Sequence, residues 1–280
     1  MKPIIITGKR TSEDIIREYF EREYLKIQEN EKPGETGSGN LTVNFSLEDL
    51  TGSYRITGIQ YRNGIYTVNL FKELLPCQTQ DKHAEHRKQV IADNTNEFYT
   101  PSYPEFHSVI STLEQNKDNS QYKDKIEEVR QFLKQQMLDR WLMTLTRIQY
   151  NPKNQKDEVI HNYNQQDSYK IELDSFMGPD GYITDQNVTN VIIPLQALLN
   201  TKQSLQEINS IYKWLTDVNA YIFRLISEVS RTTETVARIV AGSDRVGFDC
   251  DGHVNLSYAS LGIRAKKIHE FRDLEKFNFI

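Results

Sequence analysis

The sequence predicts an α+β fold: antiparallel β-hairpins and a sheet, joined by several helices, one of them long and heptad-patterned near the C-terminus. Three observations carry this. Apolar residues alternate on both sides of Asn63-Gly64, a pair suited to a tight hairpin turn. Residues 122–138 repeat apolar side chains at helical spacing. From Thr201 to Ala241 neither Pro nor Gly occurs, and apolar residues recur at intervals of three and four.

A length of 280 residues leaves room for one large or two modest domains, and 38% hydrophobic with 26% charged residues suits a globular chain. The formal net charge of −5 gives no general attraction to nucleic acid or an anionic membrane, so neither is an expected partner. Cys77 and Cys250 are the only cysteines, which favours a reducing compartment. "MKPIIIT" is too short an apolar run for a signal peptide core, and no run approaches the roughly 20 apolar residues of a membrane span. The expected location is cytoplasmic, or the host cytoplasm for a virus-encoded chain.

Residues 1–30 read as the strand "PIIIT" and a helix opened by Thr11 and Asp14, with Ile15, Ile16, Tyr19, Phe20 and Leu25 on its buried face. Gly8-Lys9 between them is half of a phosphate loop; Arg10 stands where that loop needs a hydroxyl. Residues 31–40, "EKPGETGSGN", lack any apolar residue and form a linker. Residues 41–200 make an α+β body, beginning with "LTVNFSL" and the hairpin, in which Tyr61 is expected to face Tyr66 and Ile59 to face Val68.

Leu75 to Pro104 reads as a long polar segment punctuated by prolines. Helices follow at Glu105–Gln115 and Tyr122–Leu138, the second with Ile126, Val129, Phe132, Leu133, Met137 and Leu138 on its apolar face. "RWLMTLTRIQY", "DEVIHNY" and "SYKIELDSF" are strands, and "VTNVIIPLQALLN" is helical with Pro194 near its start. The intervening "DGYIT" lacks the first, third and twelfth ligands of a calcium loop.

Residues 201–241 form the predicted long helix. Its seam is Ile208, Ile211, Leu215, Val218, Ile222, Leu225, Val229, Thr232, Val236 and Ile239, with Thr232 the one polar departure. Trp214, Tyr221, Ile226 and Val240 widen the stripe, and β-branched residues at both seam positions point to a trimer or tetramer rather than a dimer. The same pattern serves an internal spine. Arg224, Arg231 and Arg238 fall on one outer, solvated face. The expected function is therefore a non-enzymatic assembly or protein-interaction protein, homo-oligomeric through this helix.

The alternative is a metal-dependent enzyme of hydrolase or nuclease type. "CQTQDKHAEHRK" brings Cys77, His83 and His86 together as candidate metal ligands, and "FDCDGH" adds Asp249 and His253 as candidate catalytic groups. A zinc ion would need the two regions to meet in space; no other cofactor is suggested. Residues 242–280 read as a C-terminal hairpin and a basic tail. A three-residue loop at Cys250-Asp251-Gly252 would pair Phe248 with Val254 and set Asp249 opposite His253, a contact read as structural.

Overall fold

Alternation and hairpin chemistry organise most of this chain. The computed structural model describes residues 44–62, 64–152, 155–173, 180–184, 191–223 and 229–270. All belong to one unit, Val43–Ile280. The strand, helix and linker expected over residues 1–40 lie outside the described residues, as does the tail beyond Glu270.

Two sheets form. The first is antiparallel in the order β1-β2-β3-β11, from β1 (Ser46–Leu50), β2 (Ser53–Tyr61), β3 (Gly64–Gln78) and β11 (Tyr258–Glu270). The second has the order β6-β5-β4-β9-β10-β8-β7. It comprises β4 (Leu142–Tyr150), β5 (Asp157–His161), β6 (Tyr169–Leu173), β7 (Gly181–Tyr182), β8 (Asn219–Phe223), β9 (Thr233–Ala241) and β10 (Arg245–His253). Among the described strands, only β10 and β8 pair in parallel. The helices are α1 (Gln80–Ala92), α2 (Tyr103–Gln115), α3 (Lys123–Met137), α4 (Ile192–Leu199) and α5 (Leu205–Thr216). None is long and apolar enough to cross a membrane.

The second sheet has two unlike faces. One lateral row, Leu142, Ile239, Phe248 and Ile222, is buried under α2 and α5. The Phe248 ring meets Tyr212 of α5 at 4.6 Å and Tyr103 of α2 at 5.9 Å. The corresponding row on the other face is Met143, Arg238, Asp249 and Phe223. Helix α2 is buried along most of its length through Tyr103, Phe106, Val109, Ile110 and Leu113. Its first turn is closed by Glu105, whose carboxylate accepts from the Ser102 backbone N–H at 2.7 Å. Burial would raise the Glu105 pKa, but Arg87 of α1, bidentate at 2.6 and 2.8 Å, brings it below the usual value.

Strand β4 carries a bulge: it pairs with β9 at Met143↔Arg238 and next at Arg147↔Val236. The Gln80 side-chain amide of α1 donates to the Thr144 and Thr146 carbonyls, at 2.9 and 3.1 Å. Arg147 answers by donating to Gln80 Oε1 at 2.8 Å, and also bonds Glu234 and Asp81. Polar side chains thus replace the lost ladder bonds.

The predicted long helix over 201–241 does not form. Asp217, at φ 68, caps α5, and the chain continues into β8 and β9. Ile208, Ile211 and Leu215 turn inward from α5, while Ile222 is buried in β8 and Val236 and Ile239 in β9. Val218 and Val229 pack against the same core, and Leu225 lies outside the described residues. Val236 and Ile239 point to opposite faces of their strand, so they cannot share a seam. A strand buried on both faces reads as a dense apolar run, and a heptad template finds intervals of three and four within it. The trimer or tetramer seam is therefore unavailable.

Three further expectations change. The long polar segment from Leu75 to Pro104 contains α1. "RVGFDCDGH" is one continuous strand, β10, and the chain then crosses to the other sheet, so Phe248 does not pair with Val254. The β2–β3 hairpin is present, but Tyr61 pairs with Gly64 and Ile59 with Tyr66, because the turn falls one residue earlier than expected, with Arg62 left-handed at φ 51; a bulge at Gly58, φ 88, shifts the register again further along. The Tyr61 and Tyr66 rings still lie 5.8 Å apart.

Leu215→Asp separates the heptad reading from the observed core. With Leu215 fully buried in its own chain, the substitution should cost about 3 kcal/mol or more and lower the thermal midpoint in circular dichroism. A folded variant of unchanged midpoint and smaller size would restore the assembly helix.

Candidate functional site

The distinctive site grows from one bulge on the polar face of the second sheet. Strand β10 pairs with β9 at Asp249↔Arg238 and then at Gly252↔Val236, which inserts one extra residue. That brings both Asp249 and Asp251 onto Arg238, whose Nη2 donates to Asp249 Oδ2 at 3.0 Å and Asp251 Oδ1 at 2.8 Å. The Asp251 backbone N–H donates to Asp249 Oδ1 at 3.0 Å. The Trp141 and Tyr258 rings pack on the guanidinium, with centroids 4.3 and 4.5 Å from Cζ. Gly252 makes room: a Cβ there would lie 2.6 Å from the Val236 carbonyl and 2.8 Å from Arg238 Nε.

The Arg238 and Asp249 side chains are 9% and 1% exposed. Burial, then the neighbouring Asp251 carboxyl, push Asp249 up to about 7 against the pull of Arg238. One guanidinium serves two carboxylates, so a retained proton relieves the excess charge. An acid raised in the folded state takes up a proton on folding. Its contribution to stability is therefore full below the ordinary value of 3.8 and is lost progressively as pH rises from there through about 7.

Tyr258 links this cluster to α1, because its carbonyl accepts from His83 Nε2 at 3.1 Å. The other His83 nitrogen accepts from the Thr100 hydroxyl at 2.8 Å. Both ring nitrogens are thereby used, and burial lowers the His83 pKa. His83 and Asp249 are neighbours through Tyr258 and Arg238 without touching. His86 instead bonds Glu97 at 3.0 Å, and Cys77 is exposed near the end of β3. His253 is exposed, and its Nδ1 accepts from the Asn255 backbone N–H at 3.2 Å. Asp249 pairs across the ladder with Arg238, not with His253. Among the described residues no group of three or more His, Cys, Asp or Glu is placed to hold a metal ion.

Beside the cluster runs a second lateral row on the same face. Val240 pairs with Gly247, Gly247 with Tyr221, and Tyr221 with Tyr182, across β9, β10, β8 and β7. Trp141, just before β4, extends this row by one step of the β4–β9 register. The Tyr182 and Tyr221 rings meet edge to face at 5.2 Å, and exposed Arg245 lies over Tyr221 at 4.6 Å. Gly247 has no side chain and is buried, and Val240 Cγ1 packs 3.2 Å from where its Cβ would stand. Trp141 remains 45% exposed at its end.

Sequence reasoning missed Arg238, which it placed on a solvated helix face, and with it Trp141, Tyr258 and the aromatic row. The available signal was a lone arginine inside the strand-like run "TVARIVA". No protein-family model, curated protein or solved structure matches this chain.

Gly252→Ala should force Arg238 away from the two aspartates, since the backbone carbonyl of Val236 blocks the other direction. The expected loss is about 1–3 kcal/mol in urea unfolding. Unchanged stability would mean that the bulge does not set the position of Arg238.

Proposed function

We propose that this chain is a non-enzymatic protein-interaction module whose partner docks on the Trp141–Val240–Gly247–Tyr221–Tyr182 row. The observation that carries the reading is the exposed Trp141 at the end of a row of tyrosines, with Arg245 beside it. Trp, Tyr and Arg are the residue types that dominate interface energies. The partner that fits packs an apolar or aromatic side chain against Trp141 and Tyr221 and brings a carboxylate to Arg245.

Two further features favour this over the alternatives. Asp249, although its acidity is tuned near neutrality, is almost fully covered, which suits an internal ion pair better than proton transfer to a substrate. Partner binding by strand addition is disfavoured at several edges. Strand β6 carries exposed Lys170 and Glu172, β1 carries exposed Glu48 and Asp49, and β7 has 2 residues.

A photo-crosslinking amino acid in place of Val240 in the full chain should yield a discrete product with a partner from extracts of the source cell. Trp141→Ala with Tyr221→Ala should abolish it. The purified partner should then bind the double variant at least about tenfold more weakly. A partner bound equally well by both forms would refute this face as the docking surface.

A further inference from the structure

Three histidines outside the docking row share one arrangement: each is buried and engages both ring nitrogens. Two of them hold the same segment. His161 of β5 donates from Nε2 to the Ala197 carbonyl of α4 at 2.8 Å, and its Nδ1 accepts from the Thr146 hydroxyl at 3.1 Å. His107 of α2 meets Gln203, in the α4–α5 connection, through Nε2 at 2.8 Å. Its Nδ1 accepts from the Tyr212 hydroxyl of α5 at 3.2 Å. The Gln203 amide nitrogen, which donates to Ser111 at 3.2 Å, leaves its oxygen to accept from His107. Both rings are therefore neutral in the folded chain, with the proton on Nε2.

A second proton on either ring has no acceptor waiting. At His161 it would face Thr146 Oγ1, which already accepts from the Tyr103 backbone N–H at 2.9 Å and gives its own proton to the ring. At His107 it would displace the Tyr212 proton. Burial holds both pKa values down to about 4. The charged groups that act on His161 are Glu105 of α2, which favours the proton, and Arg62 after β2, which opposes it; the Tyr169 ring of β6 lies 5.0 Å away. His107 is faced by neutral groups, the stacked Tyr212 ring at 5.8 Å and Gln203.

We propose that residues 192–216 form an acid-released segment, in which protonation of His107 and His161 frees α4 and α5 while both sheets remain folded. Release would uncover the apolar faces of Leu195, Leu198, Ile208, Ile211 and Leu215. In the opened state each histidine titrates at its ordinary value of 6.5 rather than at about 4. The closed state is thus fully favoured above pH 6.5 and loses ground as pH falls toward 4. At pH 5 linkage multiplies the opening constant by about 30-fold per histidine, or roughly a thousandfold for both.

Two carboxylates on or beside the segment, Glu207, bonded to the Ser204 backbone, and Asp217, which caps α5 and is hydrogen-bonded by Lys134 and paired with Arg130, have pKa values lowered from their ordinary ones, so their charged forms favour the closed state. His83 lies on α1 and Asp249 on β10, outside the opening unit. Acidification relieves Asp249, which supports the sheet while the helices loosen.

Hydrogen exchange of the full chain, corrected for the intrinsic pH dependence of exchange, tests this directly. Amides of residues 192–216 should lose about a thousandfold protection between pH 7.5 and pH 5, while β4, β9 and β10 keep theirs. Single variants His107→Gln and His161→Gln should each reduce that dependence to about 30-fold. The proposal is overturned if the segment keeps its protection at pH 5, or if all elements lose protection together. It is likewise overturned if a folded single variant retains the full pH dependence.

Discussion

The arrangement depends on one buried guanidinium. Arg238 reaches two aspartates brought together by a bulge, packs against two aromatic rings, and so touches β9, β10, the approach to β4 and the start of β11. Strand β11 belongs to the other sheet, and His83 ties the same residue, Tyr258, to α1. A buried charge whose partners are fixed tolerates few alternative registers, which is how ionic groups confer specificity even where they add little net stability. A slip of one residue in β10 would carry Asp249 to the apolar face and leave Arg238 buried without its partner.

The same device recurs through the interior. Glu105 closes the first turn of α2 and clamps Arg87 of α1. Gln80 and Arg147 bridge the broken ladder of β4. His107 and His161 fasten the α4–α5 segment. These polar links join elements distant in sequence, so their satisfaction specifies orientation where apolar packing alone would be permissive. They also give the interior opposed responses to acid, since the histidines lose and Asp249 gains as protons become available. The polar cluster that orders the second sheet stands beside the row proposed as a docking surface, so Trp141 serves both as a cover for Arg238 and as an exposed end of that row.

Elements governed by local chemistry were legible in the sequence: the β2–β3 hairpin, helices α2 and α3, and strands β4 to β6. Others were not, for physical reasons. Helix α1 buries Gln80, His83, Ala84, Arg87 and Val90, a helical spacing carried mostly by polar side chains. A search for apolar periodicity passes over it. Residues 201–241 mislead in the opposite sense, because strands buried on both faces fill the apolar positions of a heptad. "CDGH" has turn chemistry, yet pairing of Gly252 and His253 with β9 draws it into a strand. The site suffered most: Arg238 looks solvated until its strand is placed beside the bulge that supplies its acids.

The central claim, that the Arg238–Asp249 pair orders this sheet, is best tested by a double-mutant cycle in urea at pH 8, where Asp249 is ionised. Arg238→Met alone should cost about 3–5 kcal/mol, since it leaves a buried carboxylate unpaired. Adding Asp249→Asn should recover part of that loss, with a coupling of about 1–3 kcal/mol that shrinks at pH 5. Additive effects at both pH values would contradict the account, and would make Arg238 a packing side chain whose charge is incidental.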